Sequence, residues 1–272
     1  MNLTTSDYLL AMACNRFAFM LKILGDIETR SLRAEVGKSA IKSPVFISGL
    51  ARSGTTILLT MLEELPELAS HKYRDFPFVF LPVFWSRFLE RFTKDLQVAD
   101  RPHQDGIKIS LDSPDAFEEV IWQHFFPHVH DSRSNHVLDE NTHARDFEQF
   151  YQDNIRKILF LRNASRYLSK GNYNVTRIMY IAKLFPDARF IIPVRHPLDH
   201  VESLVRQHRL FTGYAETDRR IGKYLETAGH YEFGPQRVPV SLSAGQSRRV
   251  EEAWSDGQEH LGYAIQWQAI YG

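Results

Sequence analysis

The 272-residue chain predicts an α/β fold, a three-layer sandwich with a central, mostly parallel sheet flanked by helices. Three stretches carry this reading. Pro44–Thr56 followed by Ile57–Glu64 reads as a buried strand, a tight loop and a helix. Tyr167-Leu-Ser-Lys170 reads as a short strand that ends at a lysine and a glycine. Arg189-Phe-Ile-Ile-Pro-Val194 reads as a second strong buried strand, running through Arg195 into a helix that opens at Pro197. Helical segments separate these strands, the pattern of parallel crossovers.

Composition narrows the class. Lys plus Arg and Asp plus Glu are both 33, so no global basic field argues for nucleic acid. Hydrophobic residues are 43% and charged residues 24%, ordinary for a globular protein. The one cysteine, Cys14, excludes an internal disulfide, and a cytoplasmic setting is expected. Phe78–Trp85 is apolar but far short of the roughly 20 residues that span a bilayer. Residues 1–30 carry Asp7, Arg16, Lys22 and Asp26 and do not read as a signal peptide. Two units are expected: an N-terminal helical segment, 1–43, packed on a core domain, 44–272.

In chain order, Leu10, Ala13, Phe17, Met20, Leu24 and Ile27 fall at steps of three and four, one apolar stripe on a helix. The stripe is read as docking on the main core, with a homodimer contact as the alternative. Val45, Phe46 and Ile47 form the first strand, and Gly49 and Gly54 bracket the loop after it. Ser53, Thr55 or Thr56 caps the helix that follows. Backbone N–H groups and the positive end of a helix dipole meet in such a loop and cradle an anion. The frame Gly49-x4-Gly54 is P-loop-type, but Thr55 stands where a Walker A loop has lysine, and the basic residue is Arg52. A phosphate-like ligand fits this loop better than ATP or GTP.

His71-Lys-Tyr-Arg-Asp75 precedes the aromatic run Phe76–Trp85, which places Asp75 at the lip of a pocket. Residues 93–115 read as surface loop, and Phe117–Phe126 and Asp146–Leu161 as helices. The spacing of His124, His128, His130, His136 and His143 matches no standard metal site, and no metal is expected. Lys170 stands at a strand end, where open α/β sheets bind ligands. Val175–Phe185 reads as a helix, 212–247 as an inserted lid or plain loop, and Glu251–Tyr271 as a final helix.

Together these residues resemble the PAPS-dependent sulfotransferase superfamily, in its bacterial-type, tyrosylprotein-sulfotransferase-like branch (PAPS is 3′-phosphoadenosine 5′-phosphosulfate). Ala51-Arg-Ser-Gly-Thr-Thr56 matches the phosphosulfate loop, and Arg195 with Ser203, eight positions later, matches the 3′-phosphate motif. Leu184-Phe-Pro-Asp-Ala-Arg-Phe190 is also similar to the family. Arg52 stands where phenol and steroid sulfotransferases usually have lysine. The resemblance implies that Ser53, Gly54, Thr55 and Thr56 hold the phosphosulfate, and that Arg195 and Ser203 hold the 3′-phosphate. Arg52 and Lys170 then neutralise charge on the transferring sulfuryl group. Asp75 is expected as the base that deprotonates the acceptor, with His71 and Tyr73 as alternatives. The implied reaction moves a sulfuryl group from PAPS to a hydroxyl or amine of a small-molecule, carbohydrate or peptide acceptor, leaving PAP. Related chains continue past the helix around Trp267 and Tyr271 into a further strand and a Gly-rich segment, so the usual C-terminal end is expected to be missing. A PAP-binding protein without catalysis and a P-loop kinase are the competing readings.

Overall fold

The computed structural model describes residues 1, 3–37, 40–91, 99–131 and 133–272. Residues 93–98 of the expected surface loop therefore lie outside the described residues. The chain opens with α1 (Thr5–Arg16), α2 (Ala18–Ser31) and α3 (Arg33–Val36), then β1 (Val45–Ser48), α4 (Thr55–Glu63), β2 (Leu68–Ala69) and α5 (Pro82–Leu89). A small hairpin, β3 (Ala99–Asp100) and β4 (Lys108–Ile109), leads to α6 (Glu119–Phe125), α7 (Arg145–Arg162) and β5 (Arg166–Gly171). The remainder is α8 (Ile178–Leu184), β6 (Arg189–Ile191), α9 (Pro197–Thr217), α10 (Arg220–Thr227), α11 (Ala244–Ser255) and α12 (Glu259–Tyr271).

The main sheet has the order β2-β5-β1-β6, and every pairing in it is parallel. Side chains of a strand alternate between faces, and β1 shows where each face goes. Phe46, fully buried, packs in the cluster that holds Ile155 and Ile158 of α7 and Ile181 of α8. Its neighbours Val45 and Ile47 pack instead with Leu59 of α4 and Leu168 of β5. Helices thus cover both faces, and the chain is a three-layer α/β sandwich. The register sets Ile47 beside Lys170 and Ser48 beside Gly171, so β1 and β5 end together. This is the crevice at the carboxyl ends of the strands where ligands of open sheets bind.

Several expectations are corrected in detail. The N-terminal stripe is two helices, α1 and α2, bent by 77°. Phe17, Met20, Leu24 and Ile27 of that stripe are exposed, and the face turned inward carries Ala11, Cys14, Leu21, Gly25 and Glu28. The reason is specific contact: Gly25 lies against the Phe80 carbonyl, and Glu28 pairs with Lys157 of α7 at 2.9 Å. No single described helix is long and apolar enough to cross a membrane, although the bent pair α1–α2 passes that test by length and composition. The strand expected through Val194 stops at Ile191. Pro193 has no N–H for a ladder, and Ile192 and Val194 are 47% and 62% exposed rather than buried. The expected insertion, 212–247, begins helical, because α9 runs on to Thr217 and α10 follows, and residues 228–243 form the loop that leads to α11. The expected single last helix is α11 and α12, separated at Gly257, whose φ of +75° is left-handed.

Candidate active site

The loop between β1 and α4 takes its shape from two left-handed residues. Gly54 has φ +103°, and Arg52 has φ +71°, which is uncommon for a residue with a Cβ. Ser53 N–H donates to the Leu50 carbonyl at 3.2 Å. Leu50 N–H donates to the Tyr271 hydroxyl at 2.8 Å, so α12 pins the loop from below. The cap residue of α4 is Gly54 and not one of the expected hydroxyl residues, and it makes no side-chain cap bond. The first-turn N–H groups therefore keep no internal side-chain acceptor, which suits an external anion.

A cavity of about 230 Å³ opens over this loop, lined by Arg52, Ser53, Gly54, Thr55, Thr56, Asp105 and Arg195. The structure thus brings together the expected loop residues and Arg195, which are 139 or more positions apart in sequence. Ser203 is not on the wall; it is buried and accepts a hydrogen bond from Arg52 Nε at 3.3 Å. A smaller adjoining cavity holds Lys170 together with Arg52, Thr55, Thr56, Arg101, His103, Asn172, His230 and Glu232. Both expected sulfuryl-facing cations, Arg52 and Lys170, therefore border one space.

Acidic partners organise the cations. Lys170 Nζ donates to Asp115 Oδ1 at 3.2 Å, and Arg101 Nη2 donates to Asp115 Oδ2 at 2.9 Å. Burial pushes the Asp115 carboxyl up, but Arg101 and Lys170 outweigh it and hold the group well below the ordinary range. His103 presents a different chemistry. Its Nδ1 is buried and has no hydrogen-bond partner among the described residues, and its ring lies 6.1 Å from that of His230. Burial, reinforced by the Arg101 charge, pushes its pKa well below the ordinary histidine value, so the imidazole is neutral near pH 7. A Glu232 carboxylate beside His230 (Oε2 to Nδ1, 3.5 Å) completes the wall. Burial raises its pKa, but the His230 contact and the Asn172 amide outweigh that, leaving it at about 2.

Asp75 is not brought to either cavity, and this corrects the expectation of a group at the pocket lip. It is fully buried. Arg162 Nη2 donates to Oδ1 at 2.7 Å, Lys72 N–H donates to Oδ2 at 2.9 Å, and His71 Nδ1 lies 3.5 Å from Oδ2. Burial alone would raise its pKa, but His71 and Arg162 lower it below the ordinary carboxyl value. A carboxylate so engaged is a poor proton acceptor. His71 is likewise buried and bound to Asn154 at 3.0 Å. The Tyr73 hydroxyl donates to Asp115 at 2.9 Å, and burial pushes its pKa further up.

Arg101, His103, Asp105, Asp115, His230 and Glu232 escaped the sequence reading. The run Arg101-Pro-His103-Gln-Asp105-Gly106 carried a signal, a cation, a histidine and an acid within five positions, but it sat in a stretch that read as surface loop. Among the described residues no cluster of three or more His, Cys, Asp or Glu is arranged to hold a metal ion. His130 and His136 of the histidine-rich stretch are engaged by Glu119 at 2.6 Å and by the Asp131 carbonyl at 2.9 Å.

The loop after β1, with Gly54 and Arg52 in left-handed conformations, is faced by Arg195 in one cavity and by Lys170 in the next. The model of the sulfotransferase family matches residues 44–237, and the chain belongs to that family. Sulfotransferase STF1 from Mycobacterium tuberculosis H37Rv is similar at 14% identity and a TM-score of 0.44, with 97% of this chain and 81% of that one covered. Sulfotransferase STF9 from Mycobacterium avium is similar at 15% identity and a TM-score of 0.39, with 90% and 72% covered. No curated protein matches the chain.

Proposed function

We propose that the protein transfers the sulfuryl group of PAPS to a hydroxyl or amine acceptor by in-line displacement. The observation that carries this reading is the cavity in which the loop after β1, Arg52 and Arg195 meet, with Lys170 in the smaller cavity that shares Arg52, Thr55 and Thr56 with it. The N–H groups of residues 53–56 take the 5′-phosphosulfate, and Arg52 and Lys170 balance the charge that gathers on the bridging and sulfuryl oxygens. Arg195 takes the 3′-phosphate, while Ser203, which accepts a hydrogen bond from Arg52 Nε at 3.3 Å, positions that guanidinium. The proton of the acceptor goes to His103, which lines the smaller cavity and whose Nδ1 has no hydrogen-bond partner among the described residues, in place of Asp75. The acceptor is a small molecule, carbohydrate or peptide, the setting is cytoplasmic, and no metal takes part. A homodimer would form through the uncovered apolar face of α1 and α2.

Calorimetric titration with PAP, beside ATP and ADP, tests the donor assignment. PAP binding that Arg195→Ala weakens by about tenfold, the worth of one phosphate contact, supports the 3′-phosphate site. Equal binding of PAP and ATP, untouched by Arg195→Ala, refutes it. Magnesium-dependent turnover of ATP would instead favour a kinase, although Thr55 stands where that chemistry needs lysine. PAP binding with no transfer to any acceptor would favour a nucleotide-binding protein.

A further inference from the structure

Among the described residues the cavity over the loop after β1 has one acid on its wall, Asp105. That carboxylate reaches across to the loop from the β3–β4 hairpin. Arg52 Nη1 donates to its Oδ2 at 3.0 Å, and Arg101 Nη1 donates to the same oxygen at 3.2 Å. Arg101 then continues through Asp115 to Lys170. Cation and acid therefore alternate without a gap along Arg52, Asp105, Arg101, Asp115 and Lys170. Asp105 is half-buried, with a side chain 11% exposed, and the Arg52 side chain is 20% exposed, so neither is freely solvated.

A carboxylate oxygen and an oxygen of a phosphate or sulfuryl group are equivalent partners for a guanidinium. Two anions cannot share one partly desolvated site without mutual repulsion. We propose that Asp105 is an in-chain occupant of the donor's anion site: its carboxylate holds Arg52 and Arg101 in the absence of nucleotide and yields them to the charged end of the donor. This rests on the donor reading given above. It assigns to the β3–β4 hairpin a role in setting donor affinity, because only the fraction of molecules with Asp105 withdrawn is competent to bind.

The test is calorimetric titration of wild type, Asp105→Asn and Asp105→Ser with PAP, and separately with inorganic pyrophosphate as a probe of the anion site alone. Both substitutions delete the charge, and thermal unfolding of each checks that the fold is kept. Removal of the competitor makes PAP and pyrophosphate bind roughly tenfold more tightly. If Asp105 served only to hold Arg52 in place, the same variants would bind unchanged or more weakly. Wild-type or weaker affinity in the variants therefore overturns the inference and leaves the donor reading standing. Absence of PAP binding in wild type and variants alike overturns the donor reading, and the inference with it.

Discussion

Replacing Asp75 with asparagine separates a structural role from a catalytic one. The substitution keeps the shape and one acceptor oxygen, so the Lys72 N–H bond at 2.9 Å survives. It removes the charge facing Arg162 at 2.7 Å and His71 at 3.5 Å. Breaking a fully buried pair costs about 3–5 kcal/mol. The Arg162 side chain is 13% exposed, so water offsets part of that cost. The expected loss is about 2–3 kcal/mol. With a urea m-value of about 3 kcal/mol/M for a chain of this size, the unfolding midpoint falls by about 1 M. The Asp75 carboxyl lies below its ordinary pKa in the folded protein. Its contribution is therefore complete above the unfolded value of about 3.9 and is lost as pH falls through the folded value. The gap between wild type and variant is constant from pH 8 to 5 and closes in stronger acid. Urea unfolding followed by tryptophan fluorescence, with PAPS turnover measured on the folded variant, checks both halves. A variant with wild-type stability and transfer reduced by more than about 100-fold, the range of a lost general base, would make Asp75 the base and refute the assignment to His103.

Two further predictions follow from other buried groups. His103→Asn should reduce transfer by about 10²–10⁴-fold, as loss of a general base does, while PAP affinity stays unchanged in calorimetry. Because burial holds His103 neutral below the ordinary histidine pKa, wild-type activity should be level from pH 6.5 to 8 and fall only in stronger acid. Lys157→Met should destabilise by about 3–5 kcal/mol, since it leaves Glu28 and the carbonyls of Gly25 and Phe80 without their shared ammonium. Burial already raises the Glu28 pKa, against the opposing pull of Lys157. Without Lys157 it rises further, so the penalty shrinks as pH is lowered and Glu28 takes up a proton. Chemical denaturation at pH 8 and 5 reads the difference.

The parallel sheet was legible because each of its main strands is a short apolar run placed between helices, and burial on both faces demands that pattern. Val45–Ile47 pairs in parallel with Leu168–Lys170 as that reading implies. The loop after β1 was legible as well, because glycine at position 54 permits the φ of +103° that its turn uses. The faces of α1 and α2 were not legible. Their inward side is chosen by a glycine and an ion pair, and these carry no hydrophobic signal.

The same division runs through the site. Arg52, Ser53, Thr55, Lys170 and Arg195 were visible in the sequence because each is tied to a strand end or a helix start, and the order of strands carries those points to one edge. Asp75 was misplaced because adjacency to aromatics in sequence says nothing about which way a carboxylate turns. Arg162, contributed by the end of α7, decides that. Arg101, His103 and Asp105 became visible only when the β3–β4 hairpin was seen to lie across the anion loop. The sequence alone therefore determined the sheet, the loop and the cations bound to them, since short-range sterics and burial specify those. Tertiary packing alone decided which acid, which histidine and which helix face came to meet them, because long-range pairing of charges leaves no periodic trace along a chain.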